Sequence, residues 1–217
     1  MITIDKREVY RYLGYRMGKT VVNPAVDQMI DDCIETMQQV ATPRYAYKLM
    51  PLSITDQIIT IGDMTIESSH LCRNLQGCHG VYLMAATIGM GVDRLIKRAN
   101  LTDIPAAAIY QAIGSAMAES VVDSVNDEIK RIEAKKGYYC HPRYSPGYGD
   151  CDLSTQKPFL SYFKNDQLGI TLTDTYLMIP SKSVTAFIGV SDQPWQSTAS
   201  PCDECTQINC RMRKETS

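Results

Sequence analysis

The stretch from Asp103 to about Ala134 constrains this chain more than any other. Asp103-Ile-Pro105 is a helix start, with an acidic residue in capping position and a proline where the first turn tolerates one, and the helix is expected to run until Gly137 ends it. Its first half, Ala106-Ala-Ala-Ile-Tyr-Gln-Ala-Ile-Gly-Ser-Ala-Met-Ala118, consists largely of small side chains that permit close backbone approach. A helix of that kind needs a flat partner, so it is expected to lie against a sheet.

The candidate strands are short and β-rich. Tyr45 to Leu52, Gln57 to Ile61 and Met64 to Glu67 are separated by Pro or Gly-Asp, which suggests an antiparallel meander. The apolar run Val81 to Ile88 reads as a buried central strand, and Ile170 to Met178 and Val184 to Val190 supply two more. Helices are expected over Lys6 to Tyr15, from the Asn23-Pro24 cap through Met37, over Ser69 to Gln76, Val92 to Ala99 and Ser154 to Lys164. Gly89 and Gly91 lack the full dinucleotide fingerprint and no Walker lysine follows, so they read as a strand-to-helix turn. The fold class is therefore α+β: a twisted, mostly antiparallel sheet with helices packed against it, one of them long. Gln196-Ser-Thr-Ala-Ser-Pro201 is linker-like, dividing a globular domain (1–195) from a cysteine-rich tail (196–217).

A net charge of -2 argues against a nucleic-acid surface, which needs a clustered basic patch. No apolar run approaches the roughly 18 residues of a membrane span. The N-terminus has neither the apolar core nor the cleavage site of a signal peptide, so a cytoplasmic protein is expected. Eight cysteines in such a chain read as thiols, metal ligands or redox groups rather than a disulfide framework. Cys33 falls on an apolar helix face. Cys202, Cys205 and Cys210 crowd the tail with C-x2-C spacing and a third thiol after four intervening residues, a pattern that suits zinc or an iron-sulfur cluster. A fourth ligand would have to come from Cys72, Cys78, Cys140, Cys151, His79 or a partner; a redox-active dithiol is the competing reading.

Arg143-Tyr-Ser-Pro-Gly-Tyr-Gly-Asp-Cys151 is the densest chemical signal. Arg143 offers a planar fork of donors suited to a carboxylate. Ser145-Pro146-Gly147-Tyr148 suits a type II turn, with Pro at its second position and Gly accepting positive φ at its third. The turn would swing the Tyr148 phenol toward Arg143, and the glycines around it would let a ligand lie on the backbone. His141 is a candidate to line the same pocket. Glu119 is either a functional acid or a solvated one, with no partner evident from sequence.

Gly114-Ser-Ala-Met-Ala-Glu119, then Arg143-x3-Gly147-Tyr148 with Cys151, then Gly169-Ile-Thr-Leu-Thr-Asp-Thr-Tyr-Leu-Met-Ile-Pro180 and Ser183-Val184 stand in an order that resembles the reactivation domain of cobalamin-dependent methionine synthase. The resemblance implies binding of S-adenosylmethionine (AdoMet), with its carboxylate on Arg143, Tyr148 and the Ser145, Pro146 and Gly147 backbone lining it, and Ile188 and Gly189 contacting it from a late strand. It implies no catalytic acid, base or nucleophile. It also implies cobalamin on a partner, either a cobalamin-binding methyltransferase or another corrinoid protein, and a reductant such as a flavodoxin or ferredoxin. The family usually has Pro after the tyrosine and after the cysteine, where this chain has Gly149 and Asp152. Its N-terminal acid for the ligand's ammonium is not evident; Asp150 or Asp152 are the local substitutes. The alternative is an electron-transfer or accessory subunit that keeps the fold without AdoMet.

Overall fold

The computed structural model describes residues 2–16 and 20–195, so Cys202, Cys205 and Cys210 lie outside the described residues. In chain order the elements are α1 (Lys6–Tyr12), α2 (Pro24–Val40), β1 (Arg44–Thr55), β2 (Ile58–Ile61), β3 (Met64–Glu67), α3 (Ser69–Leu75), β4 (Cys78–Thr87), α4 (Met90–Thr102), α5 (Ile104–Ala134) and β5 (Tyr139–Cys140). A 3-10 turn (Leu153–Thr155), α6 (Gln156–Leu160), α7 (Asn165–Leu168), β6 (Thr171–Leu172), β7 (Met178–Ile179) and β8 (Ser183–Ser191) follow. The main sheet runs β3-β2-β1-β4-β8-β5, antiparallel at every pairing. The expected α+β class is the one found.

Helix starts follow the capping chemistry. The Asn23 side chain accepts from the Ala25 amide with Pro24 behind it, and Asp103 accepts from Ala106 to open the 31-residue α5. The two central strands carry the packing. Alternate residues of β4 and β8 enter opposite cores. Tyr82, Met84, Ala86 and Ile188 face the layer of α2, α4 and α5, whereas Val81, Leu83, Ala85 and Phe187 face Leu71 and Leu75 of α3 and Phe159 of α6. Small residues of α5, Ala112 and Ala116 among them, are buried in the first core, as its composition anticipates. Among the described residues no helix is long and apolar enough to cross a membrane.

Two expected elements are rearranged. Ile170 to Met178 is not one strand but a hairpin of β6 and β7, closed by Thr173 and Leu177 pairing and by Tyr176 at φ 62. Ser154 to Lys164 is not one helix either. After α6 the chain tightens into i to i+3 bonds, and the Tyr162 hydroxyl accepts from the Asp63 amide at 2.6 Å and donates to the Ile61 carbonyl, tying this segment to the β2–β3 turn. That tether, with Phe159 fully buried, outweighs continued helix.

Near the end of α5 the Glu133 carboxylate, 1% exposed, accepts from the Tyr82 hydroxyl at 2.5 Å and from Lys136 at 2.7 Å. Burial pushes its pKa up, but Lys136 and Tyr82 together hold it below the ordinary value. Glu133→Ala is expected to lower unfolding free energy by about 2–3 kcal/mol in denaturant titrations, since it strands a buried phenol. Because the folded pKa is depressed, this contribution is complete above the unfolded carboxylate range and is lost as pH falls through the folded value.

A candidate ligand site at the sheet edge

The outer edge of β8 is bordered by the segment after α5. Tyr139 pairs with Ser191 and Cys140 with Val190, and further on Tyr144 bridges to Phe187 through two bonds, 3.0 and 2.8 Å. Between the Cys140 and Tyr144 pairings the outer segment spends one more residue than β8 does. The surplus is a bulge around Pro142 and Arg143. Pro142 has no amide hydrogen to donate and sits there without loss, and a bulge re-aims the side chain it carries.

The side chain so aimed is Arg143. Its Nη1 meets Asp123 Oδ1 at 2.7 Å and its Nη2 meets Glu119 Oε2 at 3.3 Å, both on α5. Glu119 and Asp123 are one helical turn apart and share a face. Arg143 is 24% exposed and its partners 46% and 64%, so these pairs are reachable by solvent and individually weak. Tyr12 of α1 stands close by, its phenol pushed up first by burial and then by the Glu119 charge. One guanidinium beside two carboxylates leaves an excess negative charge, and such a set can take a ligand that carries a carboxylate together with positive charge.

The following loop has the expected type II turn, with Gly147 at φ 89 and the Tyr148 amide bonded to the Ser145 carbonyl at 3.3 Å. Gly147 and Cys151 close it further at 2.8 Å, and Cys151 is buried beneath it. The Tyr144 hydroxyl donates to the Tyr148 carbonyl at 2.8 Å. The Tyr148 backbone is thus held, while its ring is 69% exposed and touches no aromatic partner among the described residues. Gly189 lies in β8 beside the bulge, its carbonyl accepting from the His141 amide at 2.9 Å. Ile188 points its side chain into the helix-side core and is paired with Tyr82 of β4.

Other expected site residues are employed elsewhere. His141 is 4% exposed, and its ring sits 2.6 Å from the Asn74 carbonyl, 3.0 Å from the Ser191 hydroxyl and against Trp195; it is a packing residue. Asp150 does not face the site: its carboxylate takes the Ser68 and Ser69 hydroxyls and the Ser69 and His70 amides, which hold its pKa far below the carboxylate range. Asp152 caps the 3-10 turn through the Ser154 amide. Burial pushes the half-buried Cys78 thiol up to about 12 and Cys140 up to about 11, so both stand as protonated thiols here. Among the described residues no group of three or more His, Cys, Asp or Glu is placed to hold a metal ion. Of the acids that meet Arg143, Glu119 was a candidate from sequence without an evident partner, whereas Asp123 was missed; its one signal was the four-residue spacing from Glu119.

Gly149 adopts φ 55, and a Cβ there would collide with His70 Nδ1 and the Tyr144 hydroxyl. Gly149→Ala is therefore expected to destabilise by about 1–3 kcal/mol in thermal or denaturant unfolding, more than Gly→Ala at a relaxed loop position.

Comparison with solved structures finds the fold again in a crystal structure of the MetH reactivation domain bound to AdoHcy, at 15% sequence identity and TM-score 0.65, covering 86% of this chain and 73% of that one. No curated protein matches. Residues 66–198, which include α5, the Arg143 bulge, the Tyr148 loop and β8, match the family described as vitamin B12 dependent methionine synthase, activation domain. The chain belongs to that family and is an activation domain of the cobalamin-dependent methionine synthase type.

Proposed function

We propose that this chain binds AdoMet at the Arg143 bulge and presents its methyl group to the corrinoid of a partner methyltransferase, returning the oxidised cofactor to the catalytic cycle. The observation that carries the reading is the Arg143 guanidinium, projected by the bulge onto two solvent-reachable carboxylates. The related solved domain has AdoHcy bound, which supports the same class of ligand here. Family membership favours this reading over an accessory electron-transfer subunit without AdoMet.

The residues present fit the ligand. Arg143 turns its fork from Glu119 and Asp123 to the ligand carboxylate, and those acids take over the ammonium and face the sulfonium. The Tyr148 ring lies over the sulfonium as a cation-π partner. Ser145, Pro146 and Gly147 shape the floor, and the backbone of Ile188 and Gly189 forms the wall along β8. No residue here acts as acid, base or nucleophile; the chain binds, orients and excludes water. When bound, AdoMet supplies a methyl cation equivalent to a partner cobalt that an external donor, such as a flavodoxin or ferredoxin, has reduced by one electron, and leaves as the neutral thioether.

The tail enters the same proposal as an appended segment beyond a domain that ends near residue 195. The spacing of Cys202, Cys205 and Cys210 suits zinc or an iron-sulfur cluster. Metal analysis with an anaerobic absorption spectrum is expected to show one or the other, and Cys205→Ser to release it.

Calorimetric titration with AdoMet is expected to show saturable binding. Arg143→Ala should weaken it by about 1.5–3 kcal/mol, roughly 10- to 150-fold, the value of a lost charged contact. Unchanged affinity in that variant would move the site elsewhere. Binding is also expected to weaken with added salt, since charge on both sides contributes.

A further inference from the structure

We infer that Asp150 is a positioning residue, docking the Tyr148 loop onto the start of α3 so that the loop is ordered before ligand arrives. The inference rests on the AdoMet reading of that loop. Asp150 receives hydrogen bonds from the Ser68 hydroxyl at 2.5 Å, the Ser69 amide at 2.8 Å, the Ser69 hydroxyl at 2.7 Å and the His70 amide at 3.2 Å. These bonds join the loop to a helix about eighty residues earlier in the chain.

Helix capping alone does not account for them. Ser68 already serves as the N-cap of α3, its hydroxyl accepting from the Leu71 amide at 3.1 Å, so the helix start has a cap without Asp150. The loop, by contrast, needs a restraint. The residue after Tyr148 is a glycine, Gly149. Gly149 stands at φ 55, which a proline ring, fixed near -65°, cannot adopt. The loop therefore follows a path closed to proline, built from a residue with high conformational freedom. Two side-chain ties hold it: the Tyr144 hydroxyl donates to the Tyr148 carbonyl, and the loop's own Asp150, next to Gly149, anchors it to the start of α3. With both in place, the exposed Tyr148 ring stands on an anchored backbone.

The test is a double-mutant cycle on the full chain, read as AdoMet dissociation constants for the parent, Asp150→Ala, Tyr148→Ala and the double variant. Losing the tie should free about one residue's worth of backbone and raise the constant about tenfold with Tyr148 present. In the Tyr148→Ala background the same change should cost less than about twofold, because the group being positioned is gone. Asp150→Asn, which keeps one acceptor oxygen, should recover part of the loss and serves as the reading if the alanine variant does not fold. Equal losses in both backgrounds would make Asp150 a general structural residue and overturn the inference, as would no loss in either. Absence of AdoMet binding by the parent chain would overturn the ligand assignment itself, an outcome distinct from failure of the Asp150 coupling.

Discussion

Burial of β4 and β8 on both faces is the constraint on which the rest depends. A strand pair that turns Tyr82, Met84 and Ile188 to one side and Val81, Leu83 and Phe187 to the other must be covered twice. The long α5, with its small side chains, supplies one cover; α3, α6 and the segments after them supply the other. This two-sided cover leaves the chain its functional freedom at the edge of β8, where the return from α5 arrives and must begin pairing.

That arrival explains how a fold of ordinary parts acquires a charged site. Had the segment after α5 paired with β8 in unbroken register, Arg143 would have occupied an ordinary strand position. One surplus residue at Pro142 and Arg143 breaks the register, and α5, running alongside, presents Glu119 and Asp123 within reach of the guanidinium. The helix that covers the core therefore also supplies the acids, so core packing and site electrostatics share one element. On the proposed reading, the negative excess that results suits a ligand with an amino-acid carboxylate and two positive groups.

What was legible in the sequence is what local chemistry decides. The Asp103 cap, the apolar run Val81 to Ile88 and the Ser145 to Tyr148 turn each announce themselves within a few residues, and each stands where expected. What escaped depends on partners far along the chain. The bulge exists only relative to the register of β8, the Arg143 pairs span 20 and 24 residues, and Asp150 finds its donors 80 to 82 residues away. The broken helix after Ser154 has the same origin, since Tyr162 answers to Ile61 and Asp63 rather than to its own neighbours. Asp150 and Asp152, the local candidates for the ligand's ammonium, are engaged instead by the start of α3 and by the Ser154 amide.

The most direct measurement is a crystal structure of the chain soaked with AdoMet. The account predicts ligand along the β8 edge, its carboxylate on the Arg143 fork, its ammonium beside Glu119 or Asp123, and the Tyr148 ring folded over the sulfonium. A ligand bound elsewhere at saturation, with Arg143 still paired to both acids and Tyr148 still turned to solvent, would contradict it.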